Sequence, residues 1–293
     1  MDITLALGGG GAKGNSHIGV LRRLEKEGYR IRSIAGTSFG GLVGVLYCAG
    51  YSPLEIQTAF EESDQRHLYS RDALDGPSML GLGGARKLFD QMLGEKTFDD
   101  LRIPCAVTAV DINAGSEVII SSGLLKDAVL ATIALPGIFP VQRITDWELV
   151  DGGVLNPVPV SVARILSPDL PVVAVVLNDP MDKPVRSYTI PMPSIFPKPI
   201  AERLTRMSLA QSLDIFLRAV DVSSRALAFY RLEFERPEVI VRPDVHNFGL
   251  LDKVVVADLA QLGEQAIEDV LPQLKKAVSW QARLGKKIFG VNR

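Results

Sequence analysis

The amino-acid sequence predicts an α/β fold, a sheet carrying helices on both faces, and three observations carry that expectation. Short apolar strands alternate with helical segments from the first residues onward. The joins between them are short and rich in glycine. The strands are apolar almost without interruption, as in a sheet covered on both sides.

The elements follow in order. Ile3 to Leu7 is a strand that runs into glycines. Asn15 to Glu27 has helical spacing at Ile18, Leu21 and Leu24, with Gly28 as its C-terminal stop. Arg30 to Ala35 is a second strand, and the apolar segment Gly40 to Ala49 follows a short turn. Ile103 to Asp111 and Glu117 to Ile120 read as neighbouring strands about the turn Asn113-Ala114-Gly115. Leu124 to Ile133 is a helix, Trp147 to Val150 a strand, Val158 to Leu166 a helix and Pro171 to Leu177 a buried strand. Seven of the 18 prolines stand at 171, 180, 184, 191, 193, 197 and 199, so 179–199 reads as a linker or a lid. A long helical stretch from about 200 to 234 and a late strand, Glu238 to Val241, complete the pattern.

The 293 residues are 47% hydrophobic and 23% charged, enough for a substantial core. A net charge of −2 gives no sign of a nucleic-acid partner. Cys48 and Cys105 sit in apolar surroundings and read as core residues of a reducing compartment. No basic and apolar leader precedes the first strand, and no apolar run reaches about 18 residues. A cytoplasmic protein is expected.

Gly36-Thr37-Ser38-Phe39-Gly40 joins a strand to a helix. A strand turning directly into a helix strains its central residue, and small neighbours give the chain room. Such a turn would hold the Ser38 hydroxyl at the sheet's C-terminal edge, beside a helix N-terminus that favours negative charge. Upstream, Gly8-Gly9-Gly10-Gly11-Ala12-Lys13-Gly14 can turn several N–H groups toward one point. A phosphate loop would need Gly-Lys-Ser/Thr, whereas Lys13 precedes Gly14 and Asn15 follows. A dinucleotide loop would need an acid at the end of the second strand, where Ser33 to Gly36 stand. Gly9-X-Gly11-X-X-Gly14 does fit that loop's pattern, which stays as the lesser alternative. An oxyanion hole explains both motifs at once, since two consecutive strands tend to be neighbours and the amides of Gly9, Gly10 and Gly11 would face Ser38.

The base is less plain. Of three histidines, His17 reads as a packed residue and His67 as a surface one. His246, in a late loop, would suit a Ser-Asp-His order. Asp151-Gly152-Gly153 closes the strand Trp147 to Val150 and could bring a carboxylate to the same cleft, though one Asp-Gly-Gly is equally an ordinary turn.

Taken in order, Gly9-Gly10-Gly11-Ala12-Lys13-Gly14, Gly36-Thr37-Ser38-Phe39-Gly40 and Asp151-Gly152-Gly153 resemble the three motifs of patatin-like phospholipases. Residues Thr108 to Asp111 and Ala131 to Pro140 resemble the family's central segment, and Asn156 to Pro159, after the aspartate, also fit. The resemblance covers about residues 3 to 180. It implies a three-layer α/β/α sandwich with a mostly parallel sheet, a catalytic core over 1–180 and a remainder, 181–293, that completes the same domain. It further implies hydrolysis of lipid acyl esters by a Ser38–Asp151 dyad, without catalytic histidine, metal or cofactor. Gly9 to Gly11 would form the oxyanion hole. Lys13, Gly14, Gly36, Gly40, Gly152 and Gly153 would support the motifs. Thr132-Ile133 departs from the family's usual small hydroxyl pair, and Val141 from a second proline. A thioesterase or acyltransferase could use the same dyad.

After Asp269 every charged residue is basic. Leu274, Val278, Leu284, Ile288 and Phe289 fall on one side of a helical wheel, opposite Lys275, Arg283, Lys286 and Lys287. A tail over about 270–293 would either dock on the protein or lie on an anionic membrane.

Overall fold

Strand β1 (Asp2–Leu7) forms where the chain alternates between two buried faces, and every later element is placed around it. The computed structural model describes residues 1–63, 65–73, 75–185 and 208–279. A 3-10 turn (Gly11–Asn15) leads from β1 to α1 (Ser16–Lys26), then β2 (Arg30–Thr37) and α2 (Phe39–Cys48). Three helices follow: α3 (Pro53–Glu62), α4 (Gln65–Leu68) and α5 (Gly83–Leu93). Ser52 and Glu55 close a capping box at the start of α3, with Pro53 in its first turn. Next come β3 (Cys105–Asp111), β4 (Ser116–Ile120), α6 (Leu125–Thr132), β5 (Gln142–Ile144), β6 (Trp147–Asp151), α7 (Val160–Leu166) and β7 (Val172–Val175). The described chain resumes with α8 (Ser208–Glu235), β8 (Val239–Val241) and α9 (Val256–Ala277).

The sheet has eight strands in the order β5-β6-β3-β2-β1-β7-β8, with β4 also paired to β3. The five strands from β3 to β8 in that order run parallel; β4, β5 and β6 form an antiparallel corner at one end. Helices cover both faces. Leu5, Leu7, Ile34, Val107 and Val175 point into a large aliphatic core shared with α1, α2 and α9. The other face carries small side chains. Ala106, Ala35, Ala6 and Ala174 are consecutive partners across β3, β2, β1 and β7, a row of four methyl groups. Helix α7 lies over that row, together with Ala228 and Leu232 of α8.

One feature of the register positions the site. β2 pairs with β3 only as far as Thr37↔Thr108. β6 takes up the same edge of β3 at the next rung, Ala109↔Asp151, running the opposite way. β4 occupies the other edge. The last residue of β2 and the last residue of β6 therefore meet end to end along β3. A strand pairs on only two edges, so this register forces the residues after Thr37 against Asp151.

Element boundaries shift by one or two residues from expectation, as frayed ends do. Helix α9 packs closely on α1, where a β-carbon at Gly19 or Gly263 would strike the partner helix backbone. Its apolar stripe continues into the core through Leu274 and Val278, while Lys275 and Lys276 face solvent. The described part of the basic tail thus docks on the protein body. Its remainder, 280–293, and most of the proline-rich 179–199 stretch, from 186 onward, lie outside the described residues. Among the described residues no helix is long and apolar enough to cross a membrane.

Candidate active site

Ser38 sits between β2 and α2 with φ 54° and ψ −129°, a conformation that a residue with a side chain adopts only under strain. The surroundings explain how the strain is held. A β-carbon at Gly36 would strike the Gly41 Cα, and one at Gly40 the Leu7 and Gly8 carbonyls. The Ser38 N–H donates to Thr132 Oγ1 at 2.8 Å, and that hydroxyl donates to the Thr108 carbonyl at 2.7 Å. Thr37 Oγ1 lies 2.7 Å from Thr108 Oγ1 and donates to the Asn156 carbonyl at 2.8 Å. Thr132 thus supplies the acceptor for the strained residue's own amide.

The Ser38 hydroxyl donates to Asp151 Oδ2 at 2.5 Å. Asp151 is 5% exposed, and its other oxygen, Oδ1, accepts the Gly153 N–H at 2.7 Å. Gly152 lets β6 end against β3, because a side chain there would collide with Thr108. Burial raises the Asp151 carboxyl to about 6, against the opposing pull of the hydrogen bonds from Ser38 and Gly153. A carboxylate so placed can accept the serine proton and, once protonated, can return it.

The glycine loop packs directly on this pair. The Gly9 N–H donates to the Pro157 carbonyl at 2.9 Å, so Gly9 is no oxyanion donor, contrary to the sequence expectation. Its contribution is clearance: a β-carbon at Gly9 would come within 3.1 Å of the Ser38 Cβ. The Gly10 and Gly11 N–H groups take no acceptor among the described residues. Gly14 makes room for the Phe39 ring at the start of α2. Lys13 pairs with Asp179 at 3.1 Å.

Ser38, Asp151, Gly10 and Gly11 open on one pocket, walled by Phe39, Leu42, Phe60, Phe89, Ile133 and Phe139. No histidine stands among the described residues that line it. His17 is fully buried beneath the loop, with Nε2 2.8 Å from the Gly8 carbonyl; burial lowers its pKa to about 4, so it is neutral at pH 7. His246 is partly exposed and paired with Asp244, and His67 is on the surface. Among the described residues no three His, Cys, Asp or Glu side chains cluster as a metal site would need.

Fold and site together define an α/β protein of the nucleophile-elbow type, with a carboxylate in direct contact with the serine. Comparison with known proteins refines that class. The family model described as patatin-like phospholipase matches residues 5–164, more than half of the chain. The chain belongs to the patatin-like phospholipase family. An uncharacterised NTE family protein of Mycobacterium bovis is 34% identical over 208 residues, covering 70% of this chain and 55% of that protein. Patatin-like phospholipase domain-containing protein 6 of Mus musculus is 32% identical over 169 residues, 55% of this chain and 12% of that protein. The chain thus spans about half the length of the first NTE family relatives it matches. Among solved structures, VipD from Legionella pneumophila aligns over 94% of this chain and 67% of its own, with a TM-score of 0.52 and 12% identity, a likeness of fold alone.

Proposed function

We propose that the chain hydrolyses carboxylic esters of lipids through a Ser38–Asp151 dyad and an acyl-enzyme. Family membership supports a lipid acyl hydrolase in general terms. The observation that carries the finer reading is the 2.5 Å hydrogen bond from a strained serine to a buried carboxylate.

In this reading Ser38 Oγ attacks the ester carbonyl carbon while Asp151 takes its proton. The carbonyl oxygen becomes an oxyanion, and the free N–H groups of Gly10 and Gly11 stabilise it. One such donor is worth roughly 3 kcal/mol in the transition state. The tetrahedral intermediate collapses, its C–O bond breaks, and the leaving alcohol receives the proton from Asp151. Water then attacks the acyl-enzyme with Asp151 again as base. The aromatic and aliphatic pocket walls suit a fatty acyl chain, which needs burial and few polar contacts.

A fluorophosphonate probe tests the nucleophile without knowledge of the natural lipid. The adduct is expected on Ser38 and absent from Ser38→Ala. Ester turnover should drop by about 10²–10⁴-fold in Asp151→Asn, the range for loss of a positioned general base. Near-normal turnover by folded Asp151→Asn would reject the dyad.

A further inference from the structure

The oxyanion loop is held from outside the region that the family model matches. Lys13 belongs to the 3-10 turn that begins at Gly11, and its N–H closes that turn on the Gly10 carbonyl at 3.3 Å. Its ammonium is buried and meets Asp179 Oδ2 at 3.1 Å. The same oxygen of Asp179 accepts Arg225 Nη2 of α8 at 2.9 Å. The Arg225 side chain is 4% exposed, and its Nη2 also lies 2.6 Å from Asp221 Oδ2 one turn earlier in α8. Arg225 Nη1 donates to the Lys183 carbonyl at 3.2 Å. Next to Asp179, Asn178 Nδ2 reaches Ser224 Oγ at 3.0 Å. Two residues before Asp179, Leu177 lies against Gly10, where a β-carbon would come within 2.9 Å of its Cβ.

Two buried cations therefore share one carboxylate oxygen. Arg225 also has Asp221 as a partner, whereas Asp179 is the carboxylate that Lys13 meets among the described residues, and a desolvated charge lacking a partner is costly. Asp179 is the charged point at which the loop, the chain after β7 and α8 meet, beside the Asn178–Ser224 hydrogen bond and the Leu177–Gly10 contact. The mechanism proposed above asks the Gly10 and Gly11 amides to point at one oxygen position, and a loop shifted by a fraction of an ångström would lose that donation.

We infer that Asp179 is a positioning residue for the oxyanion hole, and that Arg225 makes its position depend on the seating of α8. This inference rests on the Ser38 hydrolase reading. An acid that merely stabilised the fold would affect ground-state and transition-state binding alike; one that aims the amides affects only the latter.

The experiment compares wild-type protein with Asp179→Asn, Arg225→Met and Arg225→Lys. Each is assayed for kcat and KM on a soluble p-nitrophenyl ester. Affinity is measured for an alkyl trifluoromethyl ketone, which forms an oxyanion on the serine, and for the corresponding alkyl ether, which cannot. In Asp179→Asn and Arg225→Met, kcat and ketone affinity are expected to drop together by tenfold or more. KM and ether affinity should stay within threefold, whatever fall in Tm the broken buried ion pair brings. Arg225→Lys, which keeps the charge, should recover most of the loss. If Asp179→Asn does not fold, the pair Arg225→Met and Arg225→Lys decides the matter. Equal loss of ketone and ether affinity, or kcat within threefold of wild type in both charge-removing variants, overturns the inference alone. A wild-type protein that neither turns over the ester nor binds the ketone overturns the hydrolase reading and the inference with it.

Discussion

Ser38 and Asp151 touch, yet the two turns that deliver them are built on opposite principles. The serine is placed by its backbone: φ 54° is enforced by glycines whose missing side chains are filled by neighbouring main chain. The aspartate has an ordinary backbone, φ −49° and ψ 130°, at the end of a regular strand. It is placed by register on β3 and by what its two oxygens accept. The serine's position is therefore vulnerable to added volume, the aspartate's to a change of charge.

Four experiments would break or sharpen that contrast. The largest effect is expected at Gly36→Ala, whose new methyl group would meet the Gly41 Cα. Overpacking of this kind costs about 1–3 kcal/mol. Because the cost falls on the elbow, kcat should drop by about ten- to a hundredfold, with a lower Tm. Kinetics and thermal melts would check both. Thr132→Val keeps the shape but leaves the Ser38 N–H without its acceptor, a penalty of about 1–3 kcal/mol. A loss of kcat at unchanged KM is expected there, and an unaltered kcat would show that the amide needs no partner.

The aspartate side answers to pH. With its carboxyl near 6, Asp151 is ionised above that value, as the proposed base must be, and is progressively protonated below it. Activity should reach a plateau above about pH 7 and fall about tenfold for each unit below 6. A rate profile flat down to pH 5 would contradict this.

The smallest effect concerns stability, and its sign is unusual for an acid. The folded-state pKa is raised above the unfolded value, so the native protein binds more protons than the unfolded chain between about 4 and 6. Stability from this group is retained at low pH and lost as pH rises through that window. At about 1.4 kcal/mol per unit, the ionised carboxylate costs on the order of 3 kcal/mol at neutral pH. Asp151→Asn removes the charge and should raise the Tm by a few degrees at pH 7.5, the advantage vanishing near pH 4.

The contrast also explains what could be read in advance. Gly36, Ser38 and Gly40 were legible because strain leaves a mark in the sequence: only small residues fit. Asp151 was legible as a strand end followed by glycines, but its contact with Ser38 depends on β2 and β6 sharing one edge of β3, a fact of register. Thr108 and Thr132 carry no such mark, since a buried hydroxyl acquires its meaning only from the neighbour it meets, and Asn156 serves Thr37 through a main-chain carbonyl that any residue could offer. Gly9 was misassigned because consecutive glycines offer N–H groups without telling which already has an acceptor. The antiparallel corner was partly foreseen in the turn at Asn113 to Gly115. The three-residue β5 is too short for its pattern to stand out. Asp179 and Arg225 lie outside all three motifs, and nothing local singles them out.

The row Ala106, Ala35, Ala6 and Ala174 has a consequence beyond tight packing. These methyls act as a shim of fixed thickness under α7. The chain entering that helix supplies the Asn156 and Pro157 carbonyls that hold Thr37 and Gly9. A thicker side chain at any of the four would lift α7 and drag those carbonyls with it. The alignment of the Ser38 turn is thus calibrated from beneath the sheet, by residues with no chemistry of their own.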